Sequence, residues 1–208
     1  IDGFQQFRIW HAVQNLRLAD AWGLNRDPRL TLEEQQTIVD ALQTQATMTW
    51  GKVHTLLGFK GTKFTIQEWS TKGLAGHRTN SAMTHVFGDE WFSRPLDERD
   101  AITREVVYFR KPSAMKKRGR EAWGLSDEQA DLLPGTRLEE GHARHSAETL
   151  AIFVERMSRG EDYSTIRKDI TGKDEGEPLE QLPPITSSGL DITNPAVIRG
   201  LTELRKVV

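Results

Sequence analysis

Hydroxyl residues stand just ahead of helix-period apolar stripes at Thr31, Ser126 and Ser146, and Glu34 and Gln129 follow the first two by three positions. A side-chain oxygen at such a start accepts from the orphan amides of a first turn. An acid or amide three residues on reaches back to the cap residue's own N–H. Repeated start signals of this kind commit a chain to many short helices. The spacing predicts a helix over Phe4–Ala21 carrying Ile9, Val13 and Leu16 on one side and ending near Gly23. It predicts others over Thr31–Gln45, from Thr49 to a stop at Gly58, over Asn80–Phe87, and over Leu96–Arg110 with Ile102, Val106 and Phe109 aligned. Ser126 starts a short helix that ends before Pro134. Ser146 starts one with Leu150, Phe153, Val154 and Met157 inward and Gly160 as its stop. Only Lys63–Trp69 (KFTIQEW) alternates as a strand would, so a small β-hairpin is expected there. The fold class read from the chain is mainly α, a multi-helix bundle with short loops. Residues 171–194, rich in Gly, Pro, Ser and acids, read as an extended linker.

Of the 208 residues 37% are hydrophobic, with mean hydropathy −0.57, a balance that suits a thin helical lobe with much wetted surface better than a self-contained enzyme domain. There is no cysteine, which excludes disulfides and thiolate metal sites. No run of roughly 18 apolar residues is present, so no membrane partner is expected. The net charge of −2 is unusual for a nucleic-acid binder, but the charges are segregated. RKPSAMKKRGR (Arg110–Arg120) carries six basic residues and no acid. Phe59–Asn80 sets Lys60, Lys63, Lys72, His77 and Arg78 against Glu68 alone. Acids gather at Asp97–Asp100, at Glu139–Glu140 and in 174–180. Such segregation gives a near-neutral protein one basic face, or else a set of solvated loops.

Two stretches concentrate chemistry suited to anions. Arg78, Thr79 and Asn80 stand where a helix starts, so guanidinium, hydroxyl, amide and free backbone N–H groups would converge on one phosphate. An ordinary helix cap with flanking charge accounts for the same residues. In GHARHSAETL, His142, Arg144 and His145 precede the helix capped by Ser146, again a cationic loop at a helix start. The alternatives there are a plain capped loop and a metal site of His142 and His145 with Glu139 or Glu140. The latter lacks two histidines on one helix face. Five of the six tryptophans, Trp10, Trp50, Trp69, Trp91 and Trp123, lie in or beside apolar stripes and read as core, with Trp22 the one expected outside. Paired carboxylates (Glu33–Glu34, Asp89–Glu90, Glu139–Glu140) are adjacent in sequence, which points them apart on a helix. No phosphate loop, nucleophile elbow or Cys/His arrangement is present, and nothing reads as a catalytic centre.

At the C-terminal end, Asn194 and Pro195 open a helix whose stripe of Ile198, Leu201, Arg205 and Val208 is still running at the last residue. The chain also begins at Ile1 inside a periodic segment, so it reads as a piece of a larger protein. LPPI (Leu182–Ile185) followed by NPAVIRGLTELRKVV resembles the entry into the second RuvC segment of the CRISPR-associated RNA-guided DNA endonucleases, the Cas-nine (Cas9) family, in its type II-C branch. FRIWHAVQNLRL (Phe7–Leu18), RLTLEEQQTIV (Arg29–Val39), TWGKVHTLLGF (Thr49–Phe59) and GHARHSAETLAIFVERMSRGEDY (Gly141–Tyr163) are similar to that family's recognition lobe in the same order. The resemblance implies an α-helical recognition lobe over 1–170, which would divide near 88–135 where the match is loosest. A linker over 171–194 and the first helix of a truncated RuvC segment over 195–208 follow.

It also implies a non-catalytic role. The chain would grip guide RNA (crRNA with tracrRNA, or a single guide) and the guide–target heteroduplex through their backbones, alongside the remaining nuclease domains, in the bacterial cytoplasm. The RuvC and HNH carboxylates fall outside the chain. No cofactor is expected in it, and Mg is expected for the full-length nuclease. The residues so implicated are Lys60, Lys63, Lys72, Arg78, Thr79 and Asn80, then His142, Arg144, His145 and Ser146, with Lys116, Lys117 and Arg118 as a third set. A helical interaction module of an unrelated regulatory protein, indifferent to nucleic acid, is the competing reading. A small hydrolase with a His142/His145 metal centre is a third.

Overall fold

The computed structural model describes residues 2–19, 27–59, 63–68, 72–139 and 145–172, with Gln67 and Glu68 described by their backbone alone. The chain divides into two units, Ile1–Tyr163 and Ser164–Val208. In the first, helices follow one another as α1 (Asp2–Gln14), α2 (Leu32–Leu42), α3 (Trp50–Leu57), α4 (Arg78–Phe87), α5 (Glu90–Ser93), α6 (Leu96–Tyr108), α7 (Pro112–Trp123), α8 (Asp127–Leu132) and α9 (Ala147–Ser158). A two-stranded antiparallel sheet joins β1 (Thr47–Met48) to β2 (Leu74–Ala75), with Thr47 opposite Ala75 and Met48 opposite Leu74. Helix α10 (Tyr163–Thr171) leads into the second unit, where Gly172 at φ 64° closes its last turn.

The start signals act as the sequence expects. Thr31 Oγ1 accepts from the Glu34 amide at 3.2 Å while Glu34 accepts from the Thr31 amide at 2.8 Å. Ser126 and Gln129 repeat the arrangement at 3.2 and 3.0 Å. Ser146 Oγ takes the Thr149 amide at 3.2 Å. Helix α3 stops at Gly58, whose φ of 70° lets its amide and the next one turn back onto the last carbonyls.

Apolar stripes then fix the packing. Helix α1 lies against α2 and α9, and α2 against α3. Ile9, Trp10 and Val13 are buried on α1, Ile38, Val39 and Leu42 on α2, and Leu150, Phe153 and Met157 on α9. A second apolar cluster gathers Met83, Val86 and Phe87 of α4 with Trp91, Ile102, Val106, Met115, Trp123, Leu125 and Leu133. Each such side chain contributes roughly 1.5–3 kcal/mol of transfer free energy. Trp10, Trp50, Trp91 and Trp123 are all core residues; Trp22 and Trp69 lie outside the described residues.

The connection between the two clusters depends on one glycine. Gly76 donates to the Ala46 carbonyl at 3.0 Å and His77 to the Leu42 carbonyl at 2.8 Å, which lays the chain flat across the end of α2. A Cβ at position 76 would stand 2.0 Å from the Gln45 carbonyl oxygen, so only glycine allows that approach. This contact, with the small sheet, delivers the start of α4 beside α1.

Four expectations need correcting. Helix α1 ends at Gln14 rather than near Gly23, because side chains take the carbonyls that further turns would need. Asn15 Nδ2 donates to the His11 carbonyl at 2.8 Å, and the Arg17 guanidinium to those of Gln14 and Leu16 at 2.6 and 2.8 Å. Residues 65–68 form a 3₁₀ turn, not a hairpin strand. Phe64 is buried and makes one bridge to Leu18, but Ile66 is 39% exposed, so the alternation has no second buried position to pair. The basic run is helix α7, started by Pro112, with Met115, Gly119 and Trp123 inward at every fourth residue. Helix α10 forms ahead of the acidic stretch, where no helix is predicted. The expected linker beyond Gly172 and the helix of 195–208 lie outside the described residues.

Candidate nucleic-acid interface

At the junction of α1, α4 and the extended stretch before α9, one carboxylate gathers three donors. Glu139 accepts from Arg8 Nη1 at 2.8 and 3.2 Å, from Arg78 Nη1 at 2.7 Å, and from the Gln5 side-chain amide. Arg8 also donates through Nη2 to Gln5 Oε1 and to the Gly76 carbonyl, each at 2.7 Å. Burial opposes ionisation of Glu139, but the Arg8 hydrogen bond and charge, with help from Gln5 and Arg78, hold its carboxyl below the ordinary value. Glu139 is therefore an anion fixed between two arginines.

Next to it, His77 begins α4 and is 1% exposed. Its Nδ1 accepts the Asn80 amide at 3.0 Å, which places the ring proton on Nε2, where it meets Asp2 Oδ1 at 2.8 Å. Desolvation pushes the Asp2 carboxyl up, but the His77 hydrogen bond and the Arg99 charge outweigh it and leave the value lowered.

The α4 start is thus filled from inside the protein, which corrects the expectation of an open phosphate cradle. Thr79 and Asn80 are each 4% exposed. Asn80 Oδ1 accepts from the Trp91 indole N–H at 3.0 Å, and the Arg78 amide goes to Gln5 Oε1 at 3.2 Å. Neither the hydroxyl of Thr79 nor the amide of Asn80 reaches a surface ligand. Arg78 lies at the surface: its side chain is 52% exposed, and among the described residues only Glu139 engages its guanidinium, through one nitrogen. Its other guanidinium donors make no hydrogen bond to another described residue.

The other expected residues separate into distinct places. Lys63 and Lys72 are exposed in the connector between α3 and β2; Lys60, His142 and Arg144 lie outside the described residues. His145 is half-buried, its ring packed on Phe153 at 5.2 Å and edge-on to Phe7 at 5.9 Å, and Ser146 is spent as the α9 cap. Lys116, Lys117 and Arg118 do not offer a bare cationic stripe. They pair with Asp131 at 2.8 Å, Glu121 at 3.8 Å and Glu105 at 2.8 Å, and the last pair is two-pronged. For the metal alternative, Glu139 is already held by two arginines. His142 and Glu140 lie outside the described residues, among which no three His, Asp or Glu side chains converge. Sequence reading missed Arg8, Gln5 and His77 as organisers, since they act across contacts of more than 70 residues.

A family model for the Cas9 alpha-helical lobe domain matches residues 1–181. The chain belongs to that family. The CRISPR-associated endonuclease Cas9 of Actinomyces naeslundii is 26% identical over 223 residues, covering 95% of this chain and 18% of its own length. The chain therefore spans about a fifth of the curated Cas9 that it matches. The crystal structure of the type II-C Cas9 enzyme from the same organism shares the fold, with a TM-score of 0.60 and 24% identity over 98% of this chain and 23% of that one. Membership of the Cas9 lobe family rules out an unrelated regulatory module. Within the described residues no helix is long and apolar enough to cross a membrane.

Proposed function

We propose that this helical lobe is the non-catalytic part of an RNA-guided DNA endonuclease that grips guide RNA and the guide–target heteroduplex for CRISPR antiviral defence. Sequence is read by base pairing, and the lobe holds A-form shape and backbone phosphates. The observation that carries this reading is Arg78, half-exposed at a helix start, held by Glu139 through one nitrogen and with its other donors unengaged among the described residues. Lys63 and Lys72 stand exposed in the connector leading to it, and Lys60, His142 and Arg144 extend the same cationic chemistry in sequence. His145 and Ser146 order the start of α9 instead of meeting the ligand directly. Cleavage, and the Mg it needs, belongs in this reading to the remaining nuclease domains.

Removing a phosphate-binding cation lowers affinity across all sequences, and each phosphate it neutralised had added roughly 0.7–0.9 to the salt slope. Arg78→Ala, measured by filter binding on two RNA–DNA hybrids of unrelated sequence, should weaken both equally and flatten both slopes by that amount. A change in preference between the two hybrids at constant mean affinity would overturn the backbone-gripping role.

A further inference from the structure

A groove of about 340 Å³ lies between the end of α6, the start of α7 and the stretch after α8 that leads to Glu139. That volume is at the lower end of the roughly 300–1,000 Å³ typical of small-ligand sites. Half-buried Phe109 and Leu138, backed by buried Val106 and Met115, give it an apolar patch in an otherwise polar lining, and Arg110 and Arg137 stand at its walls. Both arginines are exposed, and neither has an acid or acceptor partner among the described residues. Arg94, Arg118 and Arg120 pair instead with Glu98, Glu105 and Asp127, and Lys116 with Asp131, while Lys111 beside Arg110 is exposed and likewise has no acid partner among the described residues. Among the described residues no carboxylate lines the groove.

Two unneutralised guanidinia beside an apolar patch fit a ligand with an anionic edge and a flat apolar face. A phosphodiester with an unstacked base is such a ligand. Duplex backbones are not, because their bases are stacked away from the protein and leave an apolar patch uncovered. We propose that this groove binds one nucleotide of a single-stranded nucleic acid, with its phosphate on Arg110 and Arg137 and its base against Phe109 and Leu138. The site rests on the nucleic-acid reading given above but uses other residues and another form of ligand.

The test is fluorescence anisotropy of the 208-residue chain with a labelled single-stranded RNA decamer, a DNA decamer of the same sequence, and an RNA–DNA hybrid duplex. Arg110→Ala/Arg137→Ala should weaken both single strands at least tenfold and reduce their salt slope by about 0.7, the contribution of the one phosphate that the two guanidinia share. Hybrid binding should change less than about twofold, because in this reading the duplex is held by other residues. Because both side chains are exposed and unpaired among the described residues, the variant should melt within about 2–3 °C of the parent, at roughly ±0.5 kcal/mol for such surface changes. Arg110→Lys/Arg137→Lys should recover most of the slope and part of the affinity. Equal loss on hybrid and single strands would make the groove part of the general phosphate surface and overturn the proposal. Undiminished single-strand binding by the alanine variant, or hybrid binding with no single-strand binding at all, would overturn it while leaving the proposed function standing. Absence of binding to every probe would overturn both.

Discussion

Replacing Glu139 by alanine removes the anion that ties α1 to α4. Its half-exposed pair with Arg78 is worth roughly 0.2–1 kcal/mol, as exposed pairs generally are. The Arg8 interaction is worth more. Arg8 is one quarter exposed, donates twice to Glu139 and holds the Gly76 carbonyl and Gln5 in place. Hydrogen bonds to charged groups contribute about 1.5–3 kcal/mol, and the variant also leaves a guanidinium without its counter-charge. Together the loss should come to roughly 3 kcal/mol. In a chain of this length that corresponds to a melting temperature lower by roughly 6–12 °C. Differential scanning calorimetry on the parent, Glu139→Ala, Arg8→Ala and the double variant isolates the pair, with a coupling of at least about 1 kcal/mol expected. Arg78→Ala should cost less than about 1 kcal/mol. Additive losses from Glu139 and Arg8, or a larger loss from Arg78 than from Arg8, would refute the assignment of Glu139 as the organiser.

Acid should act through the same group. Glu139 and Asp2 titrate below their ordinary values of 4.5 and 3.8, so the stability they add is present at neutral pH and is lost as pH falls through their lowered values. Melting temperature should be flat down to about pH 4.5 and fall below it, and Glu139→Gln should show a shallower fall. Asn80→Ala leaves the buried Trp91 indole N–H without an acceptor and should cost about 1–3 kcal/mol in urea unfolding. Gly76→Ala drives a Cβ into the Gln45 carbonyl and should cost about 3 kcal/mol or more. Gly119→Ala meets the Leu133 side chain at 2.6 Å, which can swing away, so it should cost no more than about 1–2 kcal/mol in the same assay.

Local chemistry was legible in the sequence where it acts within a few residues. The Thr31–Glu34 and Ser126–Gln129 boxes, the Ser146 cap and the Gly58 stop all close through neighbours three to five positions away. The mainly α class followed from them. Helix α1 stops before its periodicity does, because the side chains that end it, Asn15 and Arg17, look like ordinary helix surface until their carbonyl partners are known. The 63–69 stretch alternates in sequence, but its described part, 63–68, is not a strand, since pairing there depends on Leu18, far away in sequence. The same limit governs the candidate site. Arg78 was found because it flanks a helix start; Thr79 and Asn80 were chosen for the same reason but face Trp91 and the core. In sequence Glu139 stands as half of an acidic pair and as a possible metal ligand, and not as an organiser, because its three partners come from distant positions in the chain. Pairing along α7 with acids of α6 and α8 likewise turns an apparent basic patch into a largely neutralised helix. It leaves Arg110 and Arg137, with Lys111 and Arg104, without an acid beside them among the described residues.

The central claim is that this lobe holds guide–target heteroduplex by its backbone. It is tested most directly by the affinity of the 208-residue chain for an RNA–DNA hybrid of about 20 base pairs against B-form DNA of equal length, measured by anisotropy at low and moderate salt. Tighter binding to the hybrid, with a steep salt slope that Arg78→Ala flattens, is the outcome expected. Equal affinity for both duplexes, or binding that does not respond to salt, would contradict it.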